Sequence, residues 1–259
     1  MSLRTVQAVR YVAPMREGGS MPGLIEADDG ELYIVKMRGA GQGPLALVAE
    51  VVSGEIARTL ELNVPEIVLV EIDPVFGRNE GDPEIRDLLK ASAGTNAGLA
   101  FVAESTMFDF AAGDAVSLEL ASSVVWLDSF VLNVDRTPRN ANLLLCHDDL
   151  WLIDHGASLY FHHNWPTAQA KAASPFEEIR DHILIEWASE IRSVSALAHE
   201  QLSPQTLEGI LQLVPDNWLT SDEATAEQRR SDYLRFFTER LKSSSIFEEE
   251  VQRARAQLV

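Results

Sequence analysis

Residues 132–156 read LNVDRTPRNANLLLCHDDLWLIDHG. An apolar helix end runs into Asn133-Val134-Asp135-Arg136, then Pro138, two asparagines, an apolar run, and Ile153-Asp154-His155-Gly156. Two carboxylates and two amides thus stand at the ends of segments that otherwise read as buried. Burying charge is costly unless a partner or a metal offsets it. The stretch therefore reads as a site.

Within it, NLLLC and LWLID read as short strands around a His147-Asp148-Asp149 hairpin turn. Immediately upstream, DAVSLELASSVVWLDSFVLN predicts a long helix too uniformly apolar to lie at a surface. Downstream the text predicts helices: PFEEIRDHILIEWASEIRSV, SPQTLEGILQLV, and a charged ATAEQRRSDYLRFFTERLKSSS continuing into EEEVQRARAQL.

The N-terminal side has a different texture. VQAVRYV alternates as a strand does, and Asp28-Asp29-Gly30 predicts a hairpin turn before ELYIVK. LALVAEVVSGEIARTLELN carries helical periodicity and ends at Asn63. VPEIVLVEID and GLAFVAES read as further strands, with a short helix at PEIRDLLKAS between them. Residues 1–105 thus predict a sheet of about five antiparallel strands with one long helix after the third. Residues 106–259 predict an α-rich second part, with a cleft between the two.

A chain of 259 residues accommodates one large domain or two lobes. Its 40 acidic against 21 basic residues give a formal net charge of −19, which argues against gripping nucleic acid or an anionic membrane. The single Cys146 excludes an internal disulfide, fits a reducing compartment, and reads as a buried thiol within LLLC. No apolar run approaches the roughly 20 residues of a membrane span, and the cytoplasm is the expected location.

Phosphoryl transfer asks for a lysine on the phosphates, oxygen ligands for magnesium, and a carboxylate near the incoming hydroxyl. Asp135 and Asn140 are five apart, and Asp154 follows Asp135 by nineteen. Protein kinases show the same spacing between their catalytic-loop Asp and its Asn, followed by Asp-Phe-Gly at nearly the same distance. Lys36 ends the strand ELYIVK, and the next helix offers Glu50, with Glu55 as the alternative, to pair with it. The turn Gly18-Gly19-Ser20 offers backbone N–H groups for phosphates, or is a plain hairpin turn. Asn142 is the alternative to Asn140.

Together, Asn133-Val134-Asp135-Arg136, Asn140, the NLLL strand and Ile153-Asp154-His155-Gly156 resemble the HipA-like kinases, a branch of the atypical protein-kinase-like superfamily. GELYIVK and the helix through ARTLELNVPE are similar to that family's lysine strand and helix. The likeness covers about residues 10–200 and suggests a compact, stand-alone kinase core. It implies an α+β, bilobal protein-kinase-like fold, with a small antiparallel β-rich N-lobe and a larger helical C-lobe.

The resemblance also implies roles. Asp135 would be the catalytic base or hydroxyl-orienting carboxylate, Asn140 and Asp154 the magnesium ligands, and Lys36, supported by Glu50, the contact to ATP phosphates. Backbone groups of Val102, Ala103, Glu104 and Ser105 would face adenine. The implied reaction is ATP- and magnesium-dependent phosphorylation of a Ser or Thr hydroxyl on a protein or peptide. The alternatives are a small-molecule kinase, which usually carries His where this chain has Asn133, an AMP transferase, and a non-catalytic nucleotide-binding scaffold. Against the scaffold stands the presence of Lys36, Asp135, Asn140 and Asp154 together.

Elsewhere the expectations are structural. His162-His163 reads as a solvated loop, Arg229-Arg230 as a solvated helix face, and Trp165, Trp187 and Trp218 as core.

Overall fold

The computed structural model describes residues 2–15, 21–41 and 43–258. Five strands, β1 (Arg4–Pro14), β2 (Gly23–Ala27), β3 (Leu32–Lys36), β4 (Ile67–Ile72) and β5 (Gly94–Ala100), close into a barrel in the order β1-β2-β3-β5-β4. Alternation along these strands turns Val6, Ile25, Tyr33, Val35, Val68 and Val70 into its interior. Asp28-Asp29-Gly30 makes the β2–β3 turn, with Gly30 at φ 83°, a conformation glycine adopts without penalty.

The expected all-antiparallel sheet is corrected at one seam. β1 and β4 run parallel, Arg4 opposite Val68 and Gln7 opposite Glu71, and this pairing closes the sheet. Helix α1 (Gly43–Thr59) intervenes between β3 and β4, so the chain returns in the direction of β1. Alternation records which face a residue takes, not which way its strand runs. A second helix, α2 (Pro83–Ala91), starts at Asp82, whose side chain accepts from the N–H groups of Glu84 and Ile85.

The remainder is mainly helical. Helix α3 (Leu118–Val131) is capped by Ser117 and buried along most of its length. It feeds the loop that leads to β7 (Leu143–Cys146) and β8 (Asp149–Leu152), which with β6 (Thr106–Met107) form a three-stranded sheet. Then follow α4 (Ala168–Ala172), α5 (Ile191–Gln201), α6 (Pro204–Leu211), α7 (Asp216–Leu219), α8 (Ala226–Lys242) and α9 (Ser244–Ala256).

Three expectations change here. The predicted helix over PFEEIRDHILIEWASEIRSV is two 3₁₀ turns, Glu177–Asp181 and Ile185–Trp187, before α5. Tertiary bonds explain it, because His182 is drawn inward and the Ile183 N–H donates to the Arg136 carbonyl at 3.0 Å. His162 is buried rather than solvated and shares a 2.8 Å hydrogen bond with the Tyr233 hydroxyl. Burial pushes its pKa down to about 3. Arg229 and Arg230 are not a free solvated face either: the first lies 4.8 Å over the Trp165 ring, and the second donates to Asp216 at 2.6 Å and to the Leu211 carbonyl at 3.1 Å. Trp218 is buried, whereas Trp165 and Trp187 pack at the edge of the core.

The larger hydrophobic core takes in α1, α3, β7, β8 and the C-terminal helices. Helix α1 packs against α6 and α7 as well as β5, and the Trp218 indole N–H donates to the Thr95 carbonyl at 3.2 Å. The helix after β3 is therefore seated between the barrel and the helical part. Among the described residues, no helix is long and apolar enough to cross a membrane.

Candidate active site

Lys36 is the last residue of β3, and Glu50 lies on the buried face of α1. Nζ of Lys36 stands 2.6 Å from Glu50 Oε2 and also pairs with Asp154 Oδ1. Lys36 and Glu50 are buried, while Asp154 retains solvent on one side. Burial alone would lower the Lys36 pKa, but Glu50 and then Asp154 raise it well above the ordinary lysine value. Burial alone would raise Glu50, but Lys36 and then His155 hold it well below the ordinary carboxylate range. The alternative partner, Glu55, instead lies 3.5 Å from Arg58 one turn on. Gly156 lets the Asp-His-Gly backbone approach the lysine, since a Cβ there would sit 2.9 Å from Nζ.

Removal of the lysine tests how this cluster is held. Lys36→Met is expected to destabilise the fold by about 3 kcal/mol, because a buried carboxylate loses its main partner. The double variant with Glu50→Leu should regain most of that in urea unfolding. If the double variant is no more stable than the single one, the pair is not the cause.

Asp135 follows α3 through Leu132, which takes the left-handed conformation at φ 57°, and Asn133. Asn133 Oδ1 accepts from the Asp135 N–H at 3.1 Å. Asn140 Nδ2 donates to Asp135 Oδ2 at 2.8 Å, and Asn142 Nδ2 stands 3.5 Å from the same oxygen. Burial, then the Asp154 charge, pushes the Asp135 carboxyl above its ordinary value. Asp154 is itself in the left-handed region, at φ 53°. Asp154, with the amide oxygen of Asn140 or of Asn142, offers hard oxygen donors of the kind magnesium takes. No group of three His, Cys, Asp or Glu among the described residues forms a ready-made metal cage. That is no obstacle, since magnesium sites use one or two carboxylates and complete their shell with phosphates and water.

A family model for HipA-like kinases matches residues 8–248. The chain belongs to the HipA-like kinases. The crystal structure of a Helicobacter pylori proinflammatory kinase, CtkA, shares its fold with a TM-score of 0.59 at 13% sequence identity, covering 100% of this chain and 98% of that one. No curated protein matches the chain in sequence.

Other expected residues of this HipA-like kinase fall as follows. Val102 to Ser105 form the turn between β5 and β6, where the Ser105 hydroxyl donates to the Val102 carbonyl at 2.8 Å and Glu104 is left-handed at φ 58°. Cys146 is only half-buried, which corrects the expectation of an enclosed thiol; its Sγ lies 3.5 Å from the Ala103 carbonyl. Gly18, Gly19 and Ser20 lie outside the described residues. A separate cavity of about 310 Å³ adjoins the Asp135 loop, lined by Leu132, Val134, Tyr160, Phe161, Lys171 and Phe176 among others.

What supports the Asp135 loop went unread in the sequence. Asp128, inside α3 and fully buried, accepts from Arg136 Nε at 2.6 Å, His182 Nε2 at 2.9 Å and Asn133 Nδ2 at 3.0 Å. The Leu184 N–H donates to His182 Nδ1 at 3.0 Å, which leaves the imidazole proton on Nε2 to face Asp128. Arg136 also donates to the Asn142 carbonyl, tying both ends of the loop to one helix. The available signal was an Asp in the apolar C-terminal half of α3, a residue that is seldom buried without partners.

Proposed function

We propose that this chain is an ATP- and magnesium-dependent phosphotransferase that modifies a Ser or Thr hydroxyl of a protein or peptide. In this reading the arrangement is bilobal: residues 1–105 cover the nucleotide and residues 106–259 carry the catalytic and metal-binding loops. The observation that carries it is Lys36 paired at once with Glu50 and Asp154, with Asp135 close enough to Asp154 for their charges to interact.

Lys36, aimed by Glu50, would bind the ATP phosphates, and the backbone of Val102 to Ser105 would meet adenine. Asn140 and Asp154 would supply oxygen ligands for magnesium, with Asn142 the alternative to Asn140; when bound, the ion offsets charge on the phosphate oxygens. Asp135 would orient the acceptor hydroxyl and take up its proton as the new oxygen–phosphorus bond forms, the bond to the bridging oxygen breaks and ADP leaves. A raised carboxyl pKa makes Asp135 a stronger base than a solvated aspartate. The cavity beside Val134 would admit the acceptor.

Phosphorus NMR of ATP with the purified protein, with and without magnesium, tests the reaction. Magnesium-dependent ADP supports the proposal, whereas AMP with pyrophosphate would replace it with nucleotide transfer. If the acceptor is missing and ATP persists, binding decides. Asp154→Ala is expected to weaken magnesium-dependent ATP affinity by at least tenfold, about 1.4 kcal/mol, and equal affinity in wild type and variant would sink the assignment.

A further inference from the structure

Glu50 is enclosed, yet only its Oε2 meets Lys36. Its Oε1 lies 3.5 Å from Nδ1 of His155, which is also fully buried. That distance is a few tenths of an ångström beyond an ordinary N–H···O bond. Glu50 Oε1 and both imidazole nitrogens have no hydrogen-bond partner among the described residues. Buried polar atoms left unpaired cost free energy, and each calls for a reason. A small closure that places the Nδ1–H on Oε1 removes two of them at once.

Local geometry brings the ring to this spot. Asp154, in its left-handed conformation, turns the chain just ahead of His155. A Cβ on Gly54, one turn along α1 from Glu50, would lie 3.8 Å from Nδ1. The imidazole therefore faces the stretch of α1 that bears Glu50. Filling space there would need only an apolar side chain, whereas an imidazole carries two nitrogens into a water-excluded place.

We infer that His155 is a positioning residue: it holds the second oxygen of Glu50, so that α1 and the Asp-His-Gly turn set Lys36 together. The inference rests on the phosphotransferase reading insofar as Lys36 there binds phosphate. His155 neighbours Asp154, so the contact joins the turn that bears one proposed magnesium ligand to the helix that aims the lysine.

The test uses the full chain with two variants. His155→Asn keeps an amide nitrogen near the place of Nδ1, and His155→Phe keeps a ring without a donor. ADP formation at saturating magnesium and ATP is measured for each, alongside ATP affinity and melting temperature. His155→Phe is expected to lose about tenfold or more in turnover without losing melting temperature, and His155→Asn to stay within about threefold of wild type. The reverse ranking, or an unaffected His155→Phe, overturns the inference and leaves a packing role.

A readout without nucleotide keeps the two readings apart. Long-range proton–nitrogen spectra of the histidine rings, assigned by the signal missing in His155→Asn, should show the His155 proton on Nδ1, with a shift that moves in Glu50→Gln. A bare Nδ1 that ignores Glu50→Gln overturns the contact whether or not ATP is turned over. Failure of the wild type to bind or turn over ATP sinks the phosphotransferase reading instead, and the spectra still decide the contact.

Discussion

Asp135→Ala is expected to bind magnesium and ATP about as well as wild type and to turn over about 10²–10⁴-fold more slowly, the usual loss for a base or orienting group. Separate contacts make the two effects separable. Phosphate and magnesium binding are assigned to Lys36, Asp154 and Asn140; Asp135 makes no ion pair with Lys36 and meets this set only through the Asn140 amide. Its carboxylate instead faces the amides of Asn140 and Asn142 and is pushed up by burial and then by Asp154. Deleting that charge relieves the repulsion, so ATP affinity should hold or tighten slightly. Product formation with a verified acceptor, set beside equilibrium dialysis of ATP, checks both halves. Full turnover in the variant would remove Asp135 from the mechanism.

The largest stability effect is expected from Asp128→Asn, about 3–5 kcal/mol, because it leaves the buried Arg136 guanidinium without a carboxylate. Arg136 is almost fully enclosed, and its remaining listeners are carbonyl oxygens of Asn142 and Ile153. Burial would raise the Asp128 pKa, but Arg136 and then His182 hold it far below its ordinary value of 3.8. A depressed carboxylate contributes its full stability above the unfolded pKa. As the pH falls below about 4, the unfolded chain takes up a proton that the folded chain refuses, and stability drops by up to about 1.4 kcal/mol per pH unit. The variant lacks that proton, so its deficit against wild type should shrink as the pH falls. Urea midpoints at neutral pH and below pH 4 measure this; a deficit that does not change with pH would place the Asp128 interactions elsewhere. The Asp135 loop hangs on Asp128, so turnover should fall with it.

Much of the candidate site was legible because the proposed kinase chemistry spaces its residues along the chain. Asp135, Asn140 and Asp154 sit on one loop and the end of one hairpin, within a short stretch where turn and strand signals are strong. Lys36 could be placed at a strand end, and Glu50 on the following helix, by periodicity alone. The supports were not legible. Asp128 and His182 are 54 residues apart, and no local pattern announces that an apolar helix and a 3₁₀ turn will share a buried hydrogen bond. The same bond explains why the helical text around His182 does not become a helix.

Local pattern was enough to place most of the elements and their order, the segment around His182 excepted, because hydrophobic period, caps and turn residues act over a few positions. The sequence also carried, in the identities of Lys36, Asp135, Asn140 and Asp154, the chemistry proposed for the candidate site. Long-range packing was needed to show that β1 meets β4 in parallel and closes the barrel, and that Glu50 rather than Glu55 reaches Lys36. It alone put His155 against Glu50 and gathered Arg136, His182 and Asn133 on Asp128. The physical reason is one of range: strand direction and the pairing of buried charges are set by groups that meet only when the whole chain excludes water, where an unpaired charge costs most.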